Sequence, residues 1–232
     1  MGTEVALSGG RITAGVVRVD REVRRPVGPY SAFVHLVLQE LERAGFDGAP
    51  RFLGIDERGR ERLSYLPGWV APDLAHGDWR DEQLGAAAEL VRRFHEALGQ
   101  SELSRGAETV CHNDLGPCNS IHIDGMPRAF IDWDTAWPGP RIIDLAHAVW
   151  RWVIISDTEE LPLEEQARRV GLMRDAYGGV DRSGLLDAVV ANQDRVIESA
   201  DSRGDWASST WHRGERAWFA AHRAAFAHAL RP

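Results

Sequence analysis

A change of period along the chain constrains its fold more than any other feature. Between Glu4 and Pro26, in "EVALSGGRITAGVVRVDREVRRP", apolar and polar positions alternate around glycines. That pattern predicts a strand, a Gly-rich turn, a strand over Gly15–Val19, a tight turn at Asp20-Arg21 and a strand over Glu22–Arg25. From Pro140 onward the apolar residues recur at helical spacing, which predicts helices over about 142–155, 162–177, 183–202 and 206–230. Between these extremes, "SAFVHLVLQELERAG" predicts a helix with Ser31 as N-cap and Phe33, Val34, Val37, Leu38 and Leu41 along one face. "PRFLGIDERGRERLSYLPG" predicts two strands around Glu57-Arg58-Gly59, and "DEQLGAAAELVRRFHEALGQ" another amphipathic helix. Two further short strands are predicted at Ser120–Ile123 and Ala129–Asp132. The reading is an α+β chain of two lobes: residues 1–68 as a small β-rich N-lobe with one helix, and 69–232 as a larger, mainly helical C-lobe. A cleft between such lobes is where a ligand binds.

Composition narrows the partners. With 232 residues the chain has ample length for a core, and its net charge of −8 disfavours nucleic acid as a partner. No apolar run reaches the length of a membrane span, and the N-terminus lacks the features of a secretory signal, so a cytoplasmic location is expected. Cys111 and Cys118 make no disulfide framework and, lacking companion ligands, a poor zinc site. All 27 basic residues are Arg, so any role usually given to Lys must fall to Arg or go unfilled. The last predicted helix has a broad apolar face that packs within the lobe or serves a dimer; the oligomeric state stays open.

Chemistry concentrates in "VCHNDLGPCNSIHIDGMPRAFIDWD", residues 110–134. Phosphoryl transfer needs a carboxylate to orient or deprotonate the attacking hydroxyl, and oxygen ligands to hold magnesium against the phosphates. A loop with Asp114 and, five positions on, Asn119 can turn the first toward an acceptor and the second toward the metal. His112 is grouped with Asp114 in this catalytic loop, bracing it by side-chain hydrogen bonds. Asp132, expected at a strand end, is the main candidate metal ligand; Asp134 adds to the field, and Asp144 is a candidate buried brace for the loop backbone. Any one of these acids is equally well an N-cap or a solvated turn residue. The whole set, with strands on both sides, is not.

"HNDLGPCN…FIDWDTAWPGPRIIDLA" resembles the aminoglycoside phosphotransferase family of small-molecule kinases, whose pattern is HGDLxxxN followed by IDxxxxxxGxxxxDLA. The resemblance implies a protein-kinase-like fold, Asp114 as catalytic base, and Asn119 and Asp132 as ligands of Mg2+. It implies ATP or GTP as donor and a hydroxylated small molecule, such as an aminoglycoside antibiotic, as acceptor. A branch similar to this chain is grouped with peptide-toxin immunity proteins, so a catalytically weak nucleotide- or antibiotic-binding protein is the rival; a kinase for a metabolite hydroxyl is a third reading. The chain departs from the pattern at Asn113, where the family usually has Gly.

On the nucleotide side, Gly9, Gly10 and Gly15 form a turn whose amides can approach phosphates. Alternation puts Val23 and Arg25 on one face, Val23 over the adenine and Arg25 toward the phosphates, with Arg24 outward. In related kinases the strand cation pairs with a helix Glu. Here the helix position at the right depth is His35, with Glu40 and Glu42 later than expected, and an Arg–His arrangement is the weaker clamp. The main chain of Ser64, Tyr65 and Leu66 is the expected adenine hinge. Trp133, Trp137, Trp150 and Trp152, with Asp157, Glu159 and Glu160, are candidates for the acceptor side or simply for packing and solvated surface.

Overall fold

Strand order explains how residues far apart in the chain reach one cleft. The computed structural model describes residues 3–7, 15–72, 79–156, 158–178 and 182–230. Strands β1 (Glu4–Ala6), β2 (Val17–Val19) and β3 (Glu22–Pro26) form an antiparallel meander. The β2–β3 turn needs a left-handed residue, and Asp20 supplies it with φ +53°. After α1 (Ser31–Arg43) and β4 (Phe52–Ile55), β5 (Arg60–Ser64) inserts between β3 and β4. The sheet order is therefore β1-β2-β3-β5-β4. Gly9 and Gly10 lie outside the described residues; Gly15 has φ +81°.

Helix α1 buries Val34, Val37, Leu38 and Leu41, with Phe33 partly covered. Its cap differs from expectation: Tyr30 is the N-cap and Ser31 the first helical residue. The Ser31 hydroxyl turns back to accept from the Gly28 amide at 2.9 Å, closing the preceding turn instead of capping the helix.

The chain leaves the sheet through residues 65–68 and enters the second half at β6 (Trp69–Val70). There follow α2 (Asp81–Leu98), β7 (Thr109–Cys111), β8 (Ser120–Ile123), β9 (Met126–Phe130) and β10 (Trp137–Gly139). Four helices complete it: α3 (Arg141–Trp152), α4 (Leu163–Tyr177), α5 (Arg182–Ser202) and α6 (Trp206–Ala229). Strands β6, β8 and β9 form one small sheet, and β7 pairs with β10. Two features differ from the sequence reading. The β7–β10 pair was not expected, because three-residue strands, one of them Trp-Pro-Gly, carry no alternation to detect. Strand β9 ends at Phe130, so Asp132 is not a strand-end residue; it sits in a left-handed conformation (φ 64°, ψ 59°) ahead of a 3-10 turn over Trp133–Thr135.

The core of this half packs Leu84, Val91 and Phe94 of α2 against Phe130, Trp133, Leu145 and Val149, all essentially inaccessible. Each such side chain contributes roughly 1.5–3 kcal/mol when fully buried. Trp150 and Trp152 belong to this core. Among the described residues no helix is long and apolar enough to cross a membrane.

Candidate active site

The segment between β7 and β8 is held in one shape by groups that lie outside it. Asp144, in the first turn of α3 and fully buried, accepts from the main-chain amides of His112 (2.6 Å) and Asn113 (2.7 Å). Its other partner is His95 of α2 at 3.0 Å, whose second ring nitrogen meets the Tyr177 hydroxyl at 2.8 Å. Burial works to raise the Asp144 carboxyl, but the His95 hydrogen bond and the backbone donors outweigh it and hold the pKa below its ordinary value. Burial likewise pushes His95 down, so a neutral imidazole donates to a carboxylate.

His112 is not in the cleft. It is buried beneath the loop, its Nδ1 accepting from the Asp114 amide at 3.3 Å and its Nε2 donating to the Ile131 carbonyl at 3.0 Å, with Trp133 against the ring. Both ring nitrogens are thus committed, and the residue grouped with Asp114 in the sequence is a brace. Asn113 adopts φ +67°, a conformation Gly takes freely and Asn tolerates. Its side chain adds bonds Gly would lack: Nδ2 donates to the Thr135 carbonyl at 3.0 Å, and Oδ1 accepts from Arg195 of α5 at 2.8 Å.

This leaves the Asp114 carboxylate nearly half exposed, with two side chains beside it. Asn119 donates Nδ2 to Asp114 Oδ2 at 2.9 Å, so its Oδ1 faces away as an acceptor. His147, one helical turn beyond Ile143 on α3, accepts the Leu115 amide at Nδ1 (3.0 Å) and so presents Nε2–H toward Asp114 Oδ1 at 3.8 Å. Burial, and then the charges of Arg151 and Arg195, hold His147 well below its ordinary pKa. His147 escaped the sequence reading because, among Ala146, Ala148 and Val149, it reads as one more buried helix position.

The carbonyl of Asn119 accepts from the Ile131 amide at 2.9 Å, which brings Asp132 beside the loop. Asp132 and Asp134 each place a carboxylate oxygen 3.1 Å from Nη1 of Arg25, which reaches them from β3; Asp134 also takes Nη2. Arg25 is buried, whereas Arg24 pairs with Glu22 and Asp56. Burial lowers the Arg25 pKa, but Asp134, Glu61 and Asp132 together raise it further. Asp134 is raised, first by burial and then by Asp132, against the pull of Arg25. The carboxylates of Asp132 and Asp134 and the amide oxygen of Asn119 are hard oxygen donors of the kind that suits magnesium, and Arg25 already pairs with both of these acids and with Glu61.

The anchoring acid of Arg25 is Glu61, which the sequence reading missed. It stands directly opposite Arg25 in the β3–β5 register, accepts Nε–H at 2.5 Å and is 1 % exposed at the side chain. His35 of α1, stacked on Phe52, meets the other Glu61 oxygen at 2.5 Å. The expected Arg–His clamp is therefore an Arg–Glu–His chain: the charge sits on the neighbouring strand and the helix joins through the imidazole. Alternation in "RERLS", with Glu61 and Leu63 on one face opposite Arg25 and Val23, was the available signal. At the hinge, the Ser64 amide donates to the Arg51 carbonyl and the Tyr65 amide to the Arg21 carbonyl, both within the sheet. Of the three expected donors, Leu66 is the one without such a bond among the described residues. Glu159 and Glu160 are exposed, and Asp157 lies outside the described residues.

A two-lobed site with Asp and Asn on one loop and a second Asp after the next hairpin now meets a comparison. The model of the phosphotransferase enzyme family matches residues 16–180. The chain belongs to that family. A curated relative, the trifolitoxin immunity protein of Rhizobium leguminosarum bv. trifolii, is 32% identical over 259 aligned residues, spanning 96% of this chain and 97% of the relative. Among solved structures, a point mutant of aminoglycoside 2'-phosphotransferase IIIa with GDP superposes with a TM-score of 0.64 at 12% identity, covering 97% and 93% of the two chains. A choline/ethanolamine kinase family protein from Mesorhizobium loti gives 0.58 at 15% identity, with 99% and 92% covered. At such identities these matches establish the fold: the small sheet-bearing lobe and helical lobe of this phosphotransferase family.

Proposed function

We propose that this chain is a magnesium-dependent O-phosphotransferase, moving the γ-phosphoryl group of ATP or GTP to a hydroxyl of a small molecule, with antibiotics the first acceptors to test. The observation that carries this is Asn119. One residue hydrogen-bonds the Asp114 carboxylate and, through its carbonyl, docks the segment bearing Asp132. The base and the metal ligands thus share one rigid frame.

In the step itself, the acceptor oxygen forms a bond to the γ-phosphorus as the bond to the bridging oxygen breaks, releasing the nucleoside diphosphate. The hydroxyl proton passes to Asp114. His147 Nε2–H faces the Asp114 carboxylate at 3.8 Å, and its buried neutral state leaves the negative charge on the base. Arg25, fixed by Glu61, meets phosphate oxygens in the place of a lysine. Bound magnesium would neutralise charge on the phosphates, with Asn119, Asp132 and Asp134 the residues to hold it.

The test is mass spectrometry of hydroxylated antibiotics and metabolites incubated with Mg-ATP or Mg-GTP. Wild type should add one phosphate to an acceptor, and Asp114→Ala and Asp132→Ala should not. Near wild-type turnover by Asp132→Ala would sink the site assignment. A second reading, an immunity protein that binds without turnover, draws on the Rhizobium relative and on the pairing of Arg25 with both Asp132 and Asp134. Nucleotide binding without transfer to any acceptor would favour it.

A further inference from the structure

Beside the catalytic loop lies a recess of about 290 Å³, lined by Asn113, Trp137, Pro138, Ile143, Ala191 and Arg195 among others. Its size falls at the lower end of small-molecule pockets, which start near ~300 Å³, and is too small for a multi-ring sugar. Its walls are of two kinds. Trp137, half exposed, with Pro138, Ile143 and Ala191, offers apolar surface to a compact body. Arg195 offers charge.

The surroundings of that charge differ from those of the arginines on the neighbouring helix. On α6, Arg213, Arg216 and Arg223 each reach back to an acid on α5: Asp201, Asp194 and Asp187. Arg195, itself on α5, has no carboxylate partner among the described residues. Its hydrogen bonds go to amide oxygens, Nη1 to Asn113 Oδ1 and Nη2 to Asn192 Oδ1 (2.7 Å) and the Asn113 carbonyl (3.4 Å). These neutral acceptors aim the guanidinium without cancelling its charge, and two of its five N–H donors stay available. In a chain with 35 acids to 27 arginines, a cation kept apart from carboxylates beside a concave apolar wall is fitted to an anion. The recess also adjoins the reaction: Asn113 precedes Asp114, and Ile143 lies one turn before His147 on α3.

We propose that this recess anchors the acceptor by a carboxylate, and that the acceptor class is a compact hydroxy acid with an apolar body. The carboxylate pairs with Arg195, the body packs on Trp137 and Pro138, and the hydroxyl lies toward Asp114. The inference rests on the phosphotransfer reading above and narrows its substrate. A polycationic acceptor meets like charge here, so the solved aminoglycoside enzymes share the fold of this chain without sharing its acceptor chemistry.

The experiment has two arms on the full chain. In the first, without nucleotide, calorimetry compares mandelate and 3-phenyllactate with the neutral 3-phenylpropane-1,2-diol and with kanamycin. The two carboxylates should bind, the diol about tenfold or more weakly, as loss of a charge-assisted hydrogen bond requires, and kanamycin not at all. Arg195→Gln should cost the carboxylates a similar factor. Ala191→Phe, which fills the recess and leaves Arg195 in place, should abolish their binding with Tm unchanged. In the second arm, Mg-ATP or Mg-GTP is added and phosphate is expected on the hydroxy acids alone. Failure of both carboxylates to bind, or equal binding by both variants, overturns the proposal. Phosphorylated kanamycin with untouched hydroxy acids overturns it too, while leaving the kinase reading intact. Arg195-dependent binding with no transfer to anything removes the kinase reading and the acceptor role together, leaving a carboxylate site.

Discussion

The two sides of the cleft are built on different scales. The Asp114 loop carries His112, Asp114 and Asn119 in fixed register along the chain and is braced from one helix, by Asp144 and His147 one turn apart on α3. The Arg25 clamp is assembled from contacts that span 36, 107 and 109 residues. A short loop can store its geometry as spacing. A clamp made by strands and distant turns stores it as topology, so its members can change identity and place while the charge balance survives. Here the cation is Arg25, its acid Glu61 stands on a strand, and His35 joins from the helix.

Breaking the loop side should cost most. Asp114→Ala should lower turnover by about 10²–10⁴-fold, with nucleotide affinity retained, as a direct transfer assay beside a binding titration will show. Asp144→Ala leaves two buried amides and His95 without their acceptor, and should cost about 3–5 kcal/mol in urea unfolding. On the clamp side the effects should be smaller. Glu61→Gln should destabilise by about 1–3 kcal/mol and weaken nucleotide binding. Adding His35→Glu supplies a helix carboxylate and should recover part of that affinity; no recovery would mean that the position of Glu61 matters beyond its charge.

The imidazole of His147 sharpens the comparison through pH. Its folded-state pKa lies well below the ordinary 6.5, first because of burial. Below about pH 6.5 the unfolded chain therefore takes up a proton that the folded chain refuses, and stability falls with pH by up to about 1.4 kcal/mol per unit. His147→Gln should reduce that slope in a series of thermal melts, leaving the share of His95 and His122, which burial also pushes down. The smallest effect belongs to Asn113→Gly. The left-handed backbone suits glycine, so the loss is that of the side-chain bonds to Thr135, Arg195 and, at 3.4 Å, the Cys111 carbonyl, at a cost of about 0.5–1 kcal/mol by denaturant titration.

How far the sequence could be read follows from the same division of scale. The six long helices lie within a few residues of where periodicity places them, because burial of one face repeats every turn. The loop residues His112, Asp114 and Asn119, and the brace Asp144, were legible as spacing plus chemistry. Glu61 was not, since pairing it with Arg25 requires knowing that β5 returns beside β3 and in which register. Nor was the Asn113–Arg195 bond, which joins a loop to the middle of a helix 82 positions on. The left-handed turn at Asp132 was hidden for another reason: "AFID" continues a good strand pattern, and only the docking of Ile131 onto Asn119 ends it.

The chain of bonds from Tyr177 through His95 and Asp144 to the amides of His112 and Asn113 has a consequence for how the molecule fails. Loops usually open before helices do, and their amide hydrogens trade with solvent early. Freeing these two amides requires α2, α3 and α4 to part around a fully buried carboxylate. Their deuterium uptake should be as slow as that of the core, and heat inactivation should coincide with loss of the helical signal instead of preceding it. The stretch that carries Asp114 is then among the last to loosen.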